Sequence, residues 1–201
     1  MTDEGFDERL RRASEAARAE SDVEAALGRL TDLALAQLGD DRAIDRPGAL
    51  KPGERDYRVS GVFLITPDRK YNMLIASRGF PPEQRRLAIP ITWNHPGMVV
   101  ETQAPLLLEN TDDHPSFRQF LKTSRMGSSI YVPMAEAGAM FGQIVVAAQV
   151  RWTYRPADLA AMRKIADEGE KLWRAFAGGD WLRDDYPAPD LWDASVERVD
   201  R

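Results

Sequence analysis

The sequence predicts an α+β fold, on two observations. Long helical patterns stand at both ends of the chain, and two hairpin patterns rich in apolar and β-branched residues lie between them. A strand-helix-strand-helix run of short elements separates the two hairpins.

Residues 6–20 read as a charged helix with Phe6, Leu10, Ala13 and Ala17 on one stripe. Ser21-Asp22-Val23-Glu24 reads as a capping box, in which Ser and Glu each satisfy a free amide at a helix start. Leu27, Leu30, Ala34 and Leu38 follow at spacings of three and four, which buries one helical face, and Gly39 is placed to stop it. Residues 40–57 contain Pro47, Gly48, Pro52 and Gly53 among charges, and predict a loop of unusual length.

Val59 to Thr66 and Tyr71 to Ser77 read as a hairpin joined by Pro67-Asp68-Arg69-Lys70. Gly79 to Pro82 is a turn, and Arg86 to Ile91 a short strand. Pro96 suits the first turn of a helix running to about Thr102, because its missing amide costs nothing there. Leu106 to Glu109 is a short strand, and Pro115 to Lys122 a short helix with Phe117, Phe120 and Leu121 inward. Gly127 to Met134 and Met140 to Trp152 form the second hairpin around Glu136-Ala137-Gly138. Pro156 opens a last helix to about Phe176, with Leu159, Met162, Ile165, Gly169, Leu172 and Trp173 on one face. Gly178-Gly179 ends it, and an acidic tail with Trp181, Tyr186 and Trp192 follows.

The chain has 201 residues, enough for one domain with extra helices or a tail. Its net charge is −5 and no Lys/Arg stripe is visible, which argues against a nucleic-acid partner. There is no cysteine, which excludes disulfides, thiolate-held zinc, iron-sulfur clusters and a thiol nucleophile. No apolar run approaches the ~18 residues of a membrane span, and the N-terminus lacks the apolar core of a signal peptide. The expectation is a cytoplasmic protein without membrane contact.

Four segments occur in a fixed order: Gly79-Phe80-Pro81, then His95-Pro96-Gly97-Met98-Val99-Val100, then Ser128-Ser129-Ile130-Tyr131-Val132-Pro133, then Phe141-Gly142-Gln143-Ile144-Val145-Val146. Asp22 to Leu27 before them, Pro105 to Leu108 with Thr111-Asp112 between them, and Tyr154 with Asp158 after them complete the set. That ordered set resembles the GAF domain family over roughly Asp22 to Phe176. The resemblance implies a central antiparallel sheet of five to six strands. Terminal helices pack on one face, and ligand-pocket helices and loops on the other. It divides the chain into an N-terminal helical extension (1–21), the GAF-like domain (22–178) and a C-terminal tail (179–201).

The resemblance also implies a function. The expectation is a sensory or regulatory domain, not an enzyme, that binds a small molecule non-covalently and signals through a protein partner. A scaffold subunit with a filled pocket is the alternative. A homodimer is expected through the terminal helices: their faces around Leu27 and Leu30 and around Leu172 and Trp173 pack together on the sheet, and their remaining apolar surface resembles the dimer bundles of other GAF proteins. Bilin-binding members attach their chromophore to cysteine, and free-methionine sulfoxide reductases of this fold use catalytic cysteines. Neither chemistry is open to a chain without cysteine. The Asn-Lys…Phe…Asp-Glu signature of cyclic-nucleotide members is not found either, which disfavours that ligand class; the identity of any cofactor is unknown from the sequence.

The expected ligand-binding residues are Phe63, Trp93, Phe117 and Tyr131 as pocket walls, Ser129 as a hydroxyl, and Thr111 and Asp112 in the acidic loop. Alternation along the strand puts Ser129 and Tyr131 on one face and Ser128 and Ile130 on the other. Which face carries the pocket is open at this stage. His95 and His114, the only histidines, could ligate a metal, but both precede proline at helix starts, where capping is the simpler reading. Glu109, Asp112, Asp113 and His114 form an acidic cluster without the glycine turn of a calcium loop, and again read as caps. Ser128 and Ser129 lack the neighbouring base and strained elbow of a serine nucleophile.

Overall fold

A computed structural model describes residues 3–114 and 125–184. Its elements, in chain order, are α1 (Asp3–Arg18), α2 (Val23–Gln37), β1 (Arg58–Ile65), β2 (Tyr71–Arg78), β3 (Ala88–Pro90), α3 (Asn94–Thr102), β4 (Leu106–Leu108), β5 (Ser128–Glu136), β6 (Ala139–Ala148), α4 (Pro156–Ala175) and α5 (Gly178–Asp184). The six strands form one antiparallel sheet in the order β3-β2-β1-β6-β5-β4. The α+β class and the six-stranded sheet agree with the sequence reading. The short helix expected at Pro115 to Lys122 lies outside the described residues.

Register explains how the sheet separates two environments. In β5, Ile130 and Val132 point to the side of α2 and α4, where they join Val62, Leu64, Ile75, Ile144 and Val146 from neighbouring strands. Leu27, Leu30, Met162, Ile165 and Leu172 meet them from the helices. Such side chains contribute about 1.5–3 kcal/mol each when fully buried. α1 adds Phe6 and Leu10 to the same core. Leu27, Leu30, Leu172 and Trp173 are all at most 2% exposed within the chain. All four pack into the chain's own core on the sheet.

Local chemistry departs from expectation at several points. Asp22, not Ser21, caps α2, accepting from the Ala25 amide at 2.8 Å. Glu24 does not close a capping box; its carboxylate turns to Arg86 at 2.9 Å. Asp158 accepts from its own helix start at Arg155 N and also from Gly39 N, 2.9 and 2.8 Å away. That one carboxylate ties the end of α2 to the start of α4. A bulge between Met134 and Ala135 leaves Phe141 unpaired in β6. Phe141 thus turns to the helix side and stacks on Trp173, with centroids 4.3 Å apart and planes 7° from parallel. The last helix does not end the structure: Gly178–Asp184 forms α5, which buries Leu182 in the main core.

Two glycines are required where they stand. Gly79 has φ +75°, and a Cβ there would lie 2.4 Å from the Arg58 carbonyl oxygen. Gly142 faces the neighbouring strand so closely that a Cβ would lie 2.6 Å from the Phe63 oxygen.

The long loop before β1 is held from below by one cation. Arg151 is 1% exposed. Its guanidinium pairs with both oxygens of Glu54 and, at 2.9 Å, with Asp112. It also donates to the Ala49 carbonyl, and Ala43, Ala49 and Val150 pack beside it. Burial pushes the Glu54 and Asp112 carboxyls up, but the cations beside them, Arg151 for Glu54 and Lys51 with Arg151 for Asp112, hold both below their ordinary values. Because the folded values are depressed, this stability is present above the ordinary carboxylate range and is lost as pH falls through it. Arg151→Met should cost about 3–5 kcal/mol, since it strands Glu54 half-buried and unpaired. Urea unfolding at pH 7 checks this. The gap between the two proteins should shrink below about pH 4, where the carboxylates protonate.

Candidate functional site

The sheet face turned away from the long helices carries the candidate site. Pairing places Ser129 with Ala147, Tyr131 with Val145, and Pro133 with Gln143 and Phe63 on successive rows. Phe63 pairs in turn with Leu74 of β2. This is the face opposite Ile130 and Val132, so Ser129 and Tyr131 lie on the face away from the helices and Ser128 on the helix side. Ser128 has a structural role there: its hydroxyl donates to Leu108 O at 3.0 Å and accepts from Tyr154 N at 3.1 Å.

Two halves make up this face. Toward β3 it is apolar: Phe63, Leu74, Leu87, Ile89 and Val145 are buried together, with Trp93 and Tyr131 packed against them. Toward α3 it becomes polar. Gln143 is fully buried, and its amide nitrogen donates to Pro96 O at 3.0 Å and Asn72 Oδ1 at 3.4 Å. Only the NH2 group can donate to a carbonyl, so this contact fixes the amide orientation. The Gln143 Oε1 then has no hydrogen-bond partner, and Ser129 Oγ, also fully buried, has none. Tyr131 lies close enough to Ser129 to feel its hydroxyl, but the two do not reach hydrogen-bond geometry. Burial pushes the Tyr131 phenol up to about 12, against a smaller downward pull from Ser129.

His95 and His114 meet here. Trp93 occupies the N-cap position of α3 without a side-chain capping bond, and His95, in the first turn, is buried. Its Nε2 lies 3.4 Å from His114 Nδ1, with the rings edge to face and 5.0 Å apart. The Tyr131 ring is 6.2 Å from His95. Burial, reinforced by His114, lowers the His95 pKa to about 4. The capping reading of His95 gives way to this pairing. Among the described residues no group of three or more His, Asp or Glu could hold a metal.

The structure thus brings Phe63, Trp93, Ser129 and Tyr131 to one face. Thr111 is buried, and its hydroxyl donates to Met126 O at 2.7 Å. Asp112 belongs to the Arg151 network and also pairs with Lys51 and Arg125 at 2.6 and 2.7 Å. Both are engaged in holding the loop. Phe117 lies outside the described residues. Gln143, Asn72 and the histidine pair were not expected. The signal for Gln143 is a lone amide inside the apolar run Phe141 to Val146, two residues from Phe141 and on the opposite face only because of the bulge.

A family model for the GAF domain matches residues 22–170. The chain belongs to the GAF domain family. Solved GAF structures agree in fold. The GAF domain of an Acinetobacter phosphoenolpyruvate-protein phosphotransferase is 16% identical, with TM-score 0.68, covering 90% of this chain and 96% of that one. A putative GAF sensor protein from Burkholderia vietnamiensis is 16% identical, with TM-score 0.65, covering 86% and 96%. The free methionine-R-sulfoxide reductase of Neisseria meningitidis, in complex with its substrate, is 17% identical, with TM-score 0.66, covering 89% and 95%. No match is found among curated proteins.

The reductases correct one expectation. The sequence reading took this GAF chain to be without catalytic activity. Free methionine-R-sulfoxide reductases from several sources share its fold, so the GAF architecture is compatible with catalysis, and the reading does not stand. Any catalysis by this chain has no thiol of its own to use.

The buried histidine has a measurable consequence. His95 is neutral in the fold, and its depressed pKa means that stability falls as pH drops from about 6.5 toward 4. Between pH 7 and 5 the loss should be about 1–2 kcal/mol. His95→Gln should flatten that part of the profile, read from urea midpoints at the two pH values.

Proposed function

We propose that this GAF domain binds a small organic molecule non-covalently on the open sheet face, between β1, β6, β5 and the segment that begins at Trp93. The observation that supports the reading is the pair of buried, unpartnered atoms, Gln143 Oε1 and Ser129 Oγ, beside His95 and Tyr131. A filled core has no use for such atoms, because each costs about 1–3 kcal/mol when left unpaired. A ligand that donates to Gln143 and exchanges a hydrogen bond with Ser129 removes that cost. The aromatic walls would be Trp93, Tyr131 and Phe63, as in most pockets, which combine apolar walls with a few polar anchors.

Occupancy would be sensed through α3 and passed to a protein partner. Pro96 O is held by Gln143, so a ligand that draws on Gln143 also pulls on the first turn of α3. The protein is taken to work in the cytoplasm. Among the described residues no helix is long and apolar enough to cross a membrane.

A second reading is favoured by the apolar half of the same face. Phe63, Leu74, Leu87, Ile89 and Val145 already fill it, with Trp93 laid against them. In that reading the pocket is closed by its own side chains and the domain acts as a scaffold.

A thermal-shift and calorimetry screen separates the two. Nucleotides, amino acids, tetrapyrroles and aromatic acids form the panel. A binder should raise Tm. Tyr131→Ala should weaken it tenfold or more, since a lost ring contact is worth about 1.5–3 kcal/mol. Ser129→Ala should also weaken it without lowering the stability of the free protein, because the Ser129 hydroxyl has no partner to strand. If nothing in the panel shifts Tm and Ser129→Ala is destabilising, the filled-pocket reading replaces this one.

A further inference from the structure

We propose that a groove on the helix side of the molecule, at the start of α2, is the docking site for the chain's own C-terminal segment, residues 185–201. The groove has a volume of about 860 Å³. It opens between Val23 and Glu24 of α2, Ala76 and Arg78 of β2, and Phe176 and Trp181 at the far end of the chain. Arg85 and Arg86 complete its rim. It is separate from the open-face site and serves none of that site's residues.

Three observations select the occupant. The first is where the chain goes. Trp181 is itself a wall of the groove, and the described chain ends at Asp184, three residues later. The seventeen residues that follow can reach about 55 Å when extended, far more than the groove requires.

The second is charge. The segment carries Asp185, Asp190, Asp193, Glu197 and Asp200 against Arg198 and Arg201. The groove presents Arg78, Arg85 and Arg86. Glu24 and Asp32 already bind these cations, but not equally. Arg86 holds Glu24 at 2.9 Å, whereas Arg85, 62% exposed, reaches it only at 3.3 Å. The Arg85 guanidinium therefore has donors to give to a second carboxylate.

The third is apolar surface. Ile44 is the one large hydrophobic that is exposed among the described residues. Phe176 and Trp181 are half-buried at the groove, packed against the main core on one side only. Tyr186, Leu191 and Trp192 need such a seat, since leaving them in water forgoes about 25 cal/mol per Å² of buried area. Trp181 and Phe176 supply aromatic faces for them within a few residues of chain.

The docking would bind the C-terminus to the start of α2 and the end of β2, elements otherwise far from it in sequence. Hydrogen exchange read by mass spectrometry tests this on the full-length chain. Peptides spanning 21–25 and 76–86 should exchange at least fivefold faster in the Leu191→Ser/Trp192→Ser variant than in the unaltered protein. Arg85→Glu should have the same effect, and 0.5 M salt a smaller one, because charge is only part of the contact. The serine variant changes no described residue, so it decides the matter even if Arg85→Glu disturbs the fold. Photo-cross-linking from p-benzoylphenylalanine placed at position 192, in a mixture of light and ¹⁵N-labelled protein, then fixes the source of the segment. Links from 185–201 to the groove should be purely light or purely heavy. Equal exchange rates in the variants overturn the proposal. So do mixed light-heavy links, which would assign the groove to a second copy, or protection that appears only when another protein is added.

Discussion

Strand β6 sets the geometry on which everything else depends. It is hydrogen-bonded along its length to β1 on one side and to β5 on the other. Side chains alternate in direction along a strand, so one choice of register decides which residues meet the helices and which meet the open face. A slip of one residue would send Gln143 and Val145 into the helix core and bring Ile144 and Val146 out. That would bury an amide among Leu27, Leu30 and Ile165 with no partner. The register is held against this by Gly142, whose lack of a side chain admits the Phe63 carbonyl, and by the bulge that releases Phe141 to stack on Trp173.

The two sides of the sheet then follow different rules. The helix side is continuous and apolar, and its stability comes from area removed from water. The open side is a patchwork of small apolar clusters joined by polar side chains. Small clusters bury less per residue and open at lower cost than a single core. The proposed binding face sits on the side where local rearrangement is cheapest, backed by a continuous helix layer. The buried Arg151 performs a similar service at the end of the sheet. It converts a loop of eighteen residues, 40–57, into a fixed wall by pairing with Glu54 and Asp112.

Much of this was legible in the sequence because it rests on periodicity. The spacing of Leu27, Leu30 and Ala34 gave one buried helix face, and the alternation around Ser129 and Tyr131 gave a two-faced strand. The ordered glycine and proline segments added the family. What was not legible depends on contacts between distant residues. Asp112 looks like a ligand group in a loop, but Arg151, 39 positions away, claims it. Thr111 is claimed by Met126 in the same way. His95 precedes proline at a helix start and so resembles a cap, yet Trp93 occupies the cap position and the imidazole meets His114 across the fold. Only the three-dimensional path of the chain puts those two rings 5.0 Å apart. The start of α5 was missed for a different reason: Gly178-Gly179 is a sound stop signal, and burial of Leu182 overrides it.

The placement of charge across the molecule bears on what the open face can recognise. The described ion pairs gather elsewhere, at Arg151 with Glu54 and Asp112, and at Glu24 with Arg85 and Arg86. On the open face, Ser129, Gln143 and Asn72 are neutral by nature. Tyr131, its phenol raised further to about 12, and His95, lowered to about 4, are neutral at physiological pH as well. Neutral donors and acceptors attract no ligand from a distance, and they contribute little that is independent of geometry. Their strength lies in discrimination. A molecule that fills the same space but lacks the matching atom leaves Gln143 Oε1 or Ser129 Oγ unpaired in a dry site. Sites built to pair with a ligand's hydroxyl or amine reject the analogue lacking it by factors of about 10⁴–10⁵, whereas an apolar pocket separates ligands differing by one methylene by only about 10–200-fold. The polar half of the face would therefore decide which molecule is accepted, and the apolar half around Phe63 and Leu74 how tightly it is held.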